Sequence, residues 1–554
     1  MKLKIHISAF KISRVVCFLA LFLFAGTFSC TDQFDEYNTD KTQMMEVGTK
    51  ELAGLFSQSL TEGSHWQMAG LAQKFYATTP MHLSGYTVCG DYNRELNIIA
   101  SAAAHDQTYT RAYTYMYKHL EVILSKTKDE MPVYYAIAMI WKVHVFHRQT
   151  DIWGPVPYSE AGASQDVVRF DKQKDIYYQM FDELRSAAAI LEAELQKNPN
   201  SNAYGLGDMI WDGKVEKWLR FCNTMRLRFA CRISNIEPEK AKKEAEDAVK
   251  GIMLETNADD GLYKTNSLTG SSGYGHGMCQ MVQYLHDFMS TSMESYMKGY
   301  NDPRMAEFWN PVQNRSDIFA EYKSNIGGYH GATSGAPSSM GVTGILRAHS
   351  MYGPRFADGN QRKTPINVVN AAETWFLKAE GAWRGWNMGG DAKTFYEKGI
   401  EVSLKQWTPS ISAGAVTGYI NSTNVPIGPG NAPYNDPPVS TAPVKFGTDK
   451  TLQYEQIMIQ KWLALFPISV EAYAEVRRTR LPKLYAKKTS LNANVDPSIG
   501  QIITRHVFPD VERNTQPDEV ARSSNEDFGG NSDLENTPLW WDVNKNGNIS
   551  PGKY

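Results

Sequence analysis

The sequence predicts a predominantly α-helical protein whose helices are connected by long loops. Apolar side chains recur every three to four residues in the regions 105–125 and 218–233, which is the spacing of one helical face. Between residues 133 and 146 almost every side chain is apolar, as expected for a helix that is buried on all sides. The stretches 78–97 and 256–360 instead contain many glycine, proline and polar residues, which favour loops.

The first 29 residues have the pattern of a secretory signal peptide. A basic leader precedes the apolar run 15–25, which is too short to cross a bilayer because a spanning helix needs about 20 apolar residues. Gly26 and Ser29 before Cys30 resemble a bacterial lipobox, whose cysteine is acylated; an ordinary signal peptide with a coincidental cysteine is the alternative. The pattern predicts that the mature chain begins at Cys30, that residues 30–42 form a flexible tether, and that lipid anchors the protein to a membrane.

The composition argues against nucleic acid as a partner and against a disulfide framework. The formal net charge of −3 gives no electrostatic basis for binding a polyanion. Cys222 and Cys231 fall nine residues apart on one predicted helix, about 13 Å at a rise of 1.5 Å per residue, which is too far for a disulfide. A pairing of Cys89 with Cys279 stays open.

A rigid turn follows the apolar segment. Its residues 151–160 include two prolines and one glycine, which end a helix and restrict the backbone. We expect His144 and His147, just before the turn, to be structural, because no carboxylate or cysteine joins them in the sequence as a metal ligand. A helix followed by this Asp-Ile-Trp-Gly-Pro-Val-Pro-Tyr-Ser-Glu segment resembles the SusD/RagB family of surface glycan-binding lipoproteins.

Other segments resemble the same family. The segment 176–191 is similar to one helix of the family, and 218–228 is similar to the next. The segment 459–484 resembles the family's C-terminal helix pair, and 379–400 resembles a tetratricopeptide-type pair in which small residues allow close packing. The resemblance implies one SusD-like domain over residues 30–554, in which tetratricopeptide-like helix pairs form a scaffold and long loops carry the ligand-binding surface.

The resemblance also implies a function. Members of the family are outer-membrane lipoproteins that bind an oligosaccharide at the cell surface and deliver it to a SusC-like TonB-dependent transporter, without catalysis and without a cofactor. The sequence contains no Gly-x-Ser-x-Gly, His-Glu-x-x-His or Gly-x-x-x-x-Gly-Lys motif, so the common hydrolase and nucleotide-binding signatures are missing. Two alternatives stay open: an oligopeptide-binding lipoprotein of the same transporter type, and a surface glycoside hydrolase, whose paired carboxylates need not be adjacent in sequence.

Two loop regions, 81–94 and 272–277, combine aromatic and polar side chains. A sugar ring has a face of C–H bonds and a rim of hydroxyls, so its binding site needs flat aromatic rings together with amide, carboxylate or guanidinium groups. In the resembled family the corresponding regions flank the glycan site, but no motif carries over residue by residue. The alternative is that the aromatic residues only hold their loops in place. The predicted ligand-binding residues are Tyr86, Asp91, Tyr92, Arg94 and Tyr274, with Trp309 on a later loop.

Two further features are expected to be structural. Asp542 and Asn546 belong to a segment that matches part of a calcium-binding loop, but Lys553 occupies the position of the bidentate glutamate, which favours a terminal turn and leaves a calcium site open. The other aromatic residues of the predicted loop region are each expected to be structural when taken singly. They include His276, Tyr300, Tyr322, Tyr329 and Tyr352.

Overall fold

The computed structural model confirms the predominantly helical fold. By internal contacts the chain divides into Met1–Glu51 and Leu52–Tyr554, and apart from residues 48–51 everything described below lies in the second unit. The described residues are 48–64, 80–89, 108–163, 167–265, 276–284, 287–336, 343–356, 364–431, 433–490, 492–530 and 533–543.

Eighteen α-helices lie in the described part of the chain. A π-helical stretch, Ala112–Tyr117, directly precedes the third of them. In chain order they are α1 (Thr49–Gly63), α2 (Pro80–Leu83), α3 (Lys118–Thr127), α4 (Pro132–Trp153), α5 (Gln173–Lys197), α6 (Val215–Ile233), α7 (Pro238–Ala248), α8 (Gly277–Tyr284), α9 (Thr291–Tyr300), α10 (Met305–Phe308), α11 (Thr343–Leu346), α12 (Ala371–Trp383), α13 (Ala392–Trp407), α14 (Ala413–Ile420), α15 (Lys450–Leu465), α16 (Ser469–Thr479), α17 (Asp510–Thr515) and α18 (Pro517–Asp527).

Four short strands form two antiparallel pairs. Strand β1 (Thr87–Cys89) pairs with β3 (Asp287–Met289), and β2 (Gly261–Tyr263) pairs with β4 (Ile366–Val369). The first pair corrects a prediction, because the expected loop 78–97 contains β1 and, just before it, α2. Pairing with a strand about 200 residues away decides where β1 forms, and such pairing leaves no short-range signal in the sequence.

Helix α4 is the buried helix that the sequence predicts. Every side chain from residue 136 to 153 is buried, and the helix ends at Gly154, whose φ of +91° favours glycine. The rings of Tyr113 and Tyr117 pack edge-on against Phe146 and form a seam between the π-helical stretch and α4. His147 Nε2 lies 2.6 Å from a carboxylate oxygen of Glu471, a structural contact of the kind predicted for this histidine.

Helices α12 and α13 form the predicted close-packed pair. A Cβ atom added to Gly399 would lie 2.8 Å from the ring of Phe376, so only glycine permits this approach. Asn370 and Asp391 cap the two helices, each side chain accepting a hydrogen bond from a backbone N–H of the first turn. The second predicted pair is α15 and α16, which also contact each other.

A network of buried charges connects the helices, and it was not predicted from the sequence. Arg228 on α6 donates two hydrogen bonds to Glu373 on α12, at 2.7 and 2.6 Å. Arg232, one turn later, bonds Asp151 and also lies 3.0 Å from Glu471. Helix α6 is therefore buried on its charged side as well, because each guanidinium group meets carboxylates from other helices. Further residues of this charge network are Glu380, Lys461, Glu475 and Arg478.

Two further observations bear on the sequence predictions. Cys222 and Cys231 are both buried free thiols, as expected from their spacing. In the part of the chain that the structure describes, no helix combines the length and apolar character needed to span a membrane.

Candidate ligand-binding site

An open cleft lies beside helix α9, where three loop segments meet. The segments are 321–336, 345–349 and 428–431, and the cleft between them has a volume of about 490 Å³. Its size and its mixture of ring and polar side chains suit a small polar ligand.

Tyr322 supplies the aromatic surface of the cleft. It lies in the 3₁₀-helix Ala320–Asn325, and its ring packs against the cluster of Val312, Ile318 and Ala348. The residue is partly exposed, so the apolar cluster supports the ring while part of it stays open to the cleft. A ring held in this way can stack on the C–H face of a sugar.

Glu294 and Lys298, one turn apart on α9, form an ion pair in the wall of the cleft. Lys298 Nζ donates to one carboxylate oxygen of Glu294 at 2.7 Å, and the backbone N–H of Gly331 donates to the other oxygen at 2.7 Å. Burial raises the pKa of Glu294, although these two donors oppose the effect. The pair fixes the loop at Gly331 to the helix and neutralises both charges.

Two histidines of the cleft are neutral at pH 7. Burial, together with the charge of Lys298, lowers the pKa of His330 to about 4. Burial also lowers the pKa of His349, despite the opposing hydrogen bond to Leu346. His349 Nδ1 lies 3.1 Å from the Leu346 carbonyl oxygen, which can only accept, so Nδ1 carries the proton and Nε2 is an acceptor.

Amide and hydroxyl groups complete the lining. Asn325 Nδ2 donates to the Ala348 carbonyl at 3.0 Å, which leaves Oδ1 as an acceptor. Asn431 Nδ2 donates to Thr333 Oγ1 at 2.9 Å and to Asp436 at 2.8 Å, so the segment 428–431 is held to the opposite wall. The cleft therefore presents one ring and several oriented polar atoms, an arrangement that can bind a polyhydroxylated molecule.

A second cavity, between α2, the start of α9 and residues 484–503, is less suited to a sugar. It has a volume of about 80 Å³, and its walls include Leu83, Leu484, Val495 and Ile503. Such walls match an apolar group rather than a ring of hydroxyls.

Two of the predicted ligand-binding residues, Tyr86 and Trp309, are completely buried. The Tyr86 hydroxyl donates to the Trp462 carbonyl at 2.5 Å, and its ring stacks on the Trp462 ring with 5.0 Å between centroids. Trp309 stacks on Tyr352 at 5.5 Å. Neither side chain has a surface to offer a ligand, so for these two residues the prediction is corrected in favour of its alternative: they hold their loops in place.

The other predicted residues lie outside the described part of the chain. They are Asp91, Tyr92, Arg94, Tyr274 and the lipidation candidate Cys30, and they stay predictions. Tyr322 and His349 were not among the predicted ligand-binding residues, although Tyr322 was one of the aromatic residues of the predicted loop region. The one sequence feature that could have indicated Tyr322 is that it is an aromatic residue outside any apolar helical stripe. Trp309 has the same feature and is buried, so the feature does not identify a binding residue.

The structure also bears on metal binding. Both carboxylate oxygens of Asp542 accept hydrogen bonds from Arg480, at 3.0 and 3.1 Å, so this side chain holds the C-terminal segment to the end of α16. Asn544 and Asn546 lie outside the described residues. Among the side chains that are described, no group of three or more His, Cys, Asp or Glu is placed to hold a metal ion.

Comparison with known proteins gives a consistent result. The family model "Susd and RagB outer membrane lipoprotein" matches residues 48–542. A sequence search of curated proteins finds no significant match.

Three solved structures illustrate the similarity. A chitin-binding SusD homolog from Flavobacterium johnsoniae is 30% identical, with 89% of this chain and 99% of that chain covered and a TM-score of 0.77. A SusD-like protein from Bacteroides thetaiotaomicron is 28% identical, with 90% and 100% covered and a TM-score of 0.77. A further chitin-binding protein is 26% identical, with 89% and 100% covered and a TM-score of 0.72.

Proposed function

The chain belongs to the SusD-like family of outer membrane lipoproteins, and on that basis we propose that it binds an oligosaccharide at the cell surface and delivers it to a SusC-like TonB-dependent transporter. The observation that carries the binding role is the cleft beside α9, which combines a supported tyrosine ring with oriented polar atoms. The role is binding without catalysis, which agrees with the family and with the missing hydrolase motifs.

Chitin-derived oligosaccharides are the first ligands to test. Two structurally similar proteins are chitin-binding, and one of them is 30% identical over nearly its whole length. An N-acetylglucosamine unit offers an apolar ring face, hydroxyl groups and an amide, which match the Tyr322 ring and the acceptors His349 Nε2 and Asn325 Oδ1.

Calorimetric titration with N-acetylglucosamine hexamer tests the site. Tyr322→Ala removes the stacking surface and should weaken binding by about 2 kcal/mol, roughly thirtyfold in Kd. Tyr86→Phe is the control for a tyrosine that lies outside the cleft. It removes a buried hydrogen bond, so it should lower the free energy of unfolding by about 1 kcal/mol and leave the Kd for the glycan unchanged.

A thermal melt of each variant separates the two effects. Unchanged affinity in Tyr322→Ala, with a glycan that binds the wild-type protein, would exclude the cleft as the binding site. Weakened affinity in Tyr86→Phe at an unchanged melting temperature would restore the original assignment of the site to the 81–94 loop.

A further inference from the structure

We infer that the cleft selects sugars that carry hydrogen-bond donors and no negative charge, so that neutral oligosaccharides bind and those bearing uronic acid or sulfate groups are rejected. This inference rests on the proposed function, because it specifies the class of glycan that the same cleft accepts. It follows from the polar atoms that the cleft leaves open and from the pairing of its charges.

The open polar atoms of the cleft include three acceptors. His349 uses its protonated Nδ1 on the Leu346 carbonyl, so its Nε2 can only accept. Asn325 uses Nδ2 on the Ala348 carbonyl, and its Oδ1 is left as an acceptor. Glu321 is exposed at the cleft and forms no ion pair with any described residue. Hydroxyl and amide N–H groups satisfy such acceptors, whereas a carboxylate or sulfate group, which has no proton to donate, cannot.

The one cation that lines the described part of the cleft is already paired, and so are two cations of neighbouring segments. Lys298, which lines the cleft, donates to Glu294 at 2.7 Å. Lys488 lies 2.7 Å from Asp436, and Arg347 bonds Asp317. In the described part of the lining no cation is left for an anionic ligand.

The charge balance of the cleft also disfavours an anion. Lys298 and Glu294 cancel each other, and Glu321 is the one charged side chain of the described lining that has no ion-pair partner in that lining. His330 and His349 are uncharged at neutral pH because burial lowers the pKa of each imidazole. An anionic sugar would lose water next to the Glu321 carboxylate without gaining a cationic partner in the described lining, and unpaired charges of this kind are how a site rejects a competing ligand.

The test compares neutral and acidic glycans of the same length. The neutral set contains the hexasaccharides of N-acetylglucosamine, glucose and xylose; the acidic set contains hyaluronan hexasaccharide and hexagalacturonate. Titration of the full-length protein at pH 7 should show the best neutral ligand binding at least tenfold more tightly than either acidic one. Equal or tighter binding of an acidic glycan would overturn the inference and leave the proposed glycan-binding function standing. Absence of binding to both sets would overturn the proposed function, and the inference with it.

Reversing the charge of Glu321 tests whether the preference for neutral glycans arises in the cleft. Glu321→Lys should reduce the neutral-to-acidic affinity ratio at least tenfold, because it supplies an unpaired cation beside the acceptors. Glu130→Lys, in the exposed turn between α3 and α4, makes the same change in net charge and should leave the ratio unchanged. Both positions are exposed, and a thermal melt checks that each variant folds. An unchanged ratio in Glu321→Lys, or the same reduction in Glu130→Lys, would contradict selection by the cleft.

Discussion

Glu380 on α12 shows how single residues of the charge network contribute to stability. Its two carboxylate oxygens each accept a hydrogen bond from Arg478 at 2.7 Å, and Arg384 lies 2.9 Å away. Burial alone would raise the pKa of this carboxyl group, but the two guanidinium groups outweigh burial and lower it from 4.5 to about 2. The ionised form is therefore favoured by the folded state.

This pKa shift predicts a defined loss of stability in acid. Since the folded-state pKa is below the unfolded-state value, the contribution of Glu380 is complete above about pH 4.5 and is lost as the pH falls towards 2. A shift of this size corresponds to about 3 kcal/mol. Urea denaturation at a series of pH values should show that Glu380→Gln is less stable than the wild type by about that amount at pH 7. Between pH 5 and 2 the free energy of unfolding of the variant should fall less than that of the wild type.

The control for this measurement is Glu239→Gln, which makes the same change on the exposed first turn of α7. The free energy of unfolding of this variant should depend on pH as that of the wild type does. A Glu380→Gln variant whose stability falls with pH as steeply as the wild type's would show that this carboxylate does not carry the effect.

At the scale of secondary-structure elements, two helical glycines in different surroundings make opposite predictions. Gly399 on α13 faces the ring of Phe376 on α12, where a Cβ atom would lie 2.8 Å away. Gly418 on α14 has no atom within 4 Å of the same position. Only the first glycine is required for two helices to approach each other.

The same substitution should therefore change stability in opposite directions. Alanine has a helix propensity about 1 kcal/mol better than glycine, so Gly418→Ala should stabilise the protein by up to that amount. At Gly399 the clash with Phe376 costs roughly 1–3 kcal/mol, which should exceed the gain and leave Gly399→Ala less stable. Denaturant titration of both variants measures the change in the free energy of unfolding. A Gly399→Ala variant that is more stable than the wild type would contradict the prediction, because α12 and α13 could then move apart without cost.

At the scale of the whole molecule, the helical scaffold brings distant loops to one cleft. Glu294, His349 and Asn431 are far apart in sequence and line the same cleft. The membership of the chain in an outer membrane lipoprotein family agrees with the lipid anchor predicted at Cys30. In the proposed function, the anchor keeps the protein at the membrane that holds the transporter.

The anchor leads to a prediction about the intact protein. Cys30→Ala removes the acylated residue, so the variant should leave the outer-membrane fraction and become extractable without detergent. Fractionation followed by a high-salt wash measures this, with Cys222→Ala, a buried cysteine of α6, as the control that should stay in the membrane. A Cys30→Ala protein that remains membrane-bound after the wash would contradict anchoring by lipid.

The sequence by itself determined the elements whose signals are local. The apolar run 133–146 predicts the buried helix α4, and the small residues of 379–400 predict the close packing at Gly399. The residue pattern of 151–160 resembles that of the family, and the match of the family model to residues 48–542 confirms the resemblance. The prolines and the glycine of this segment also restrict the backbone directly, so the end of α4 is a local signal.

Only the tertiary structure decided which loop aromatics are buried and which line a cleft. Tyr86 and Tyr322 both stand on predicted loops, and nothing near them in sequence distinguishes the two. Tyr86 is buried because Trp462, 376 residues away, covers its ring, and the Trp462 backbone carbonyl accepts a hydrogen bond from its hydroxyl group. Tyr322 packs on one apolar cluster and stays partly exposed. The burial of a side chain depends on partners that the fold brings from elsewhere in the chain, and a single sequence contains no record of that pairing.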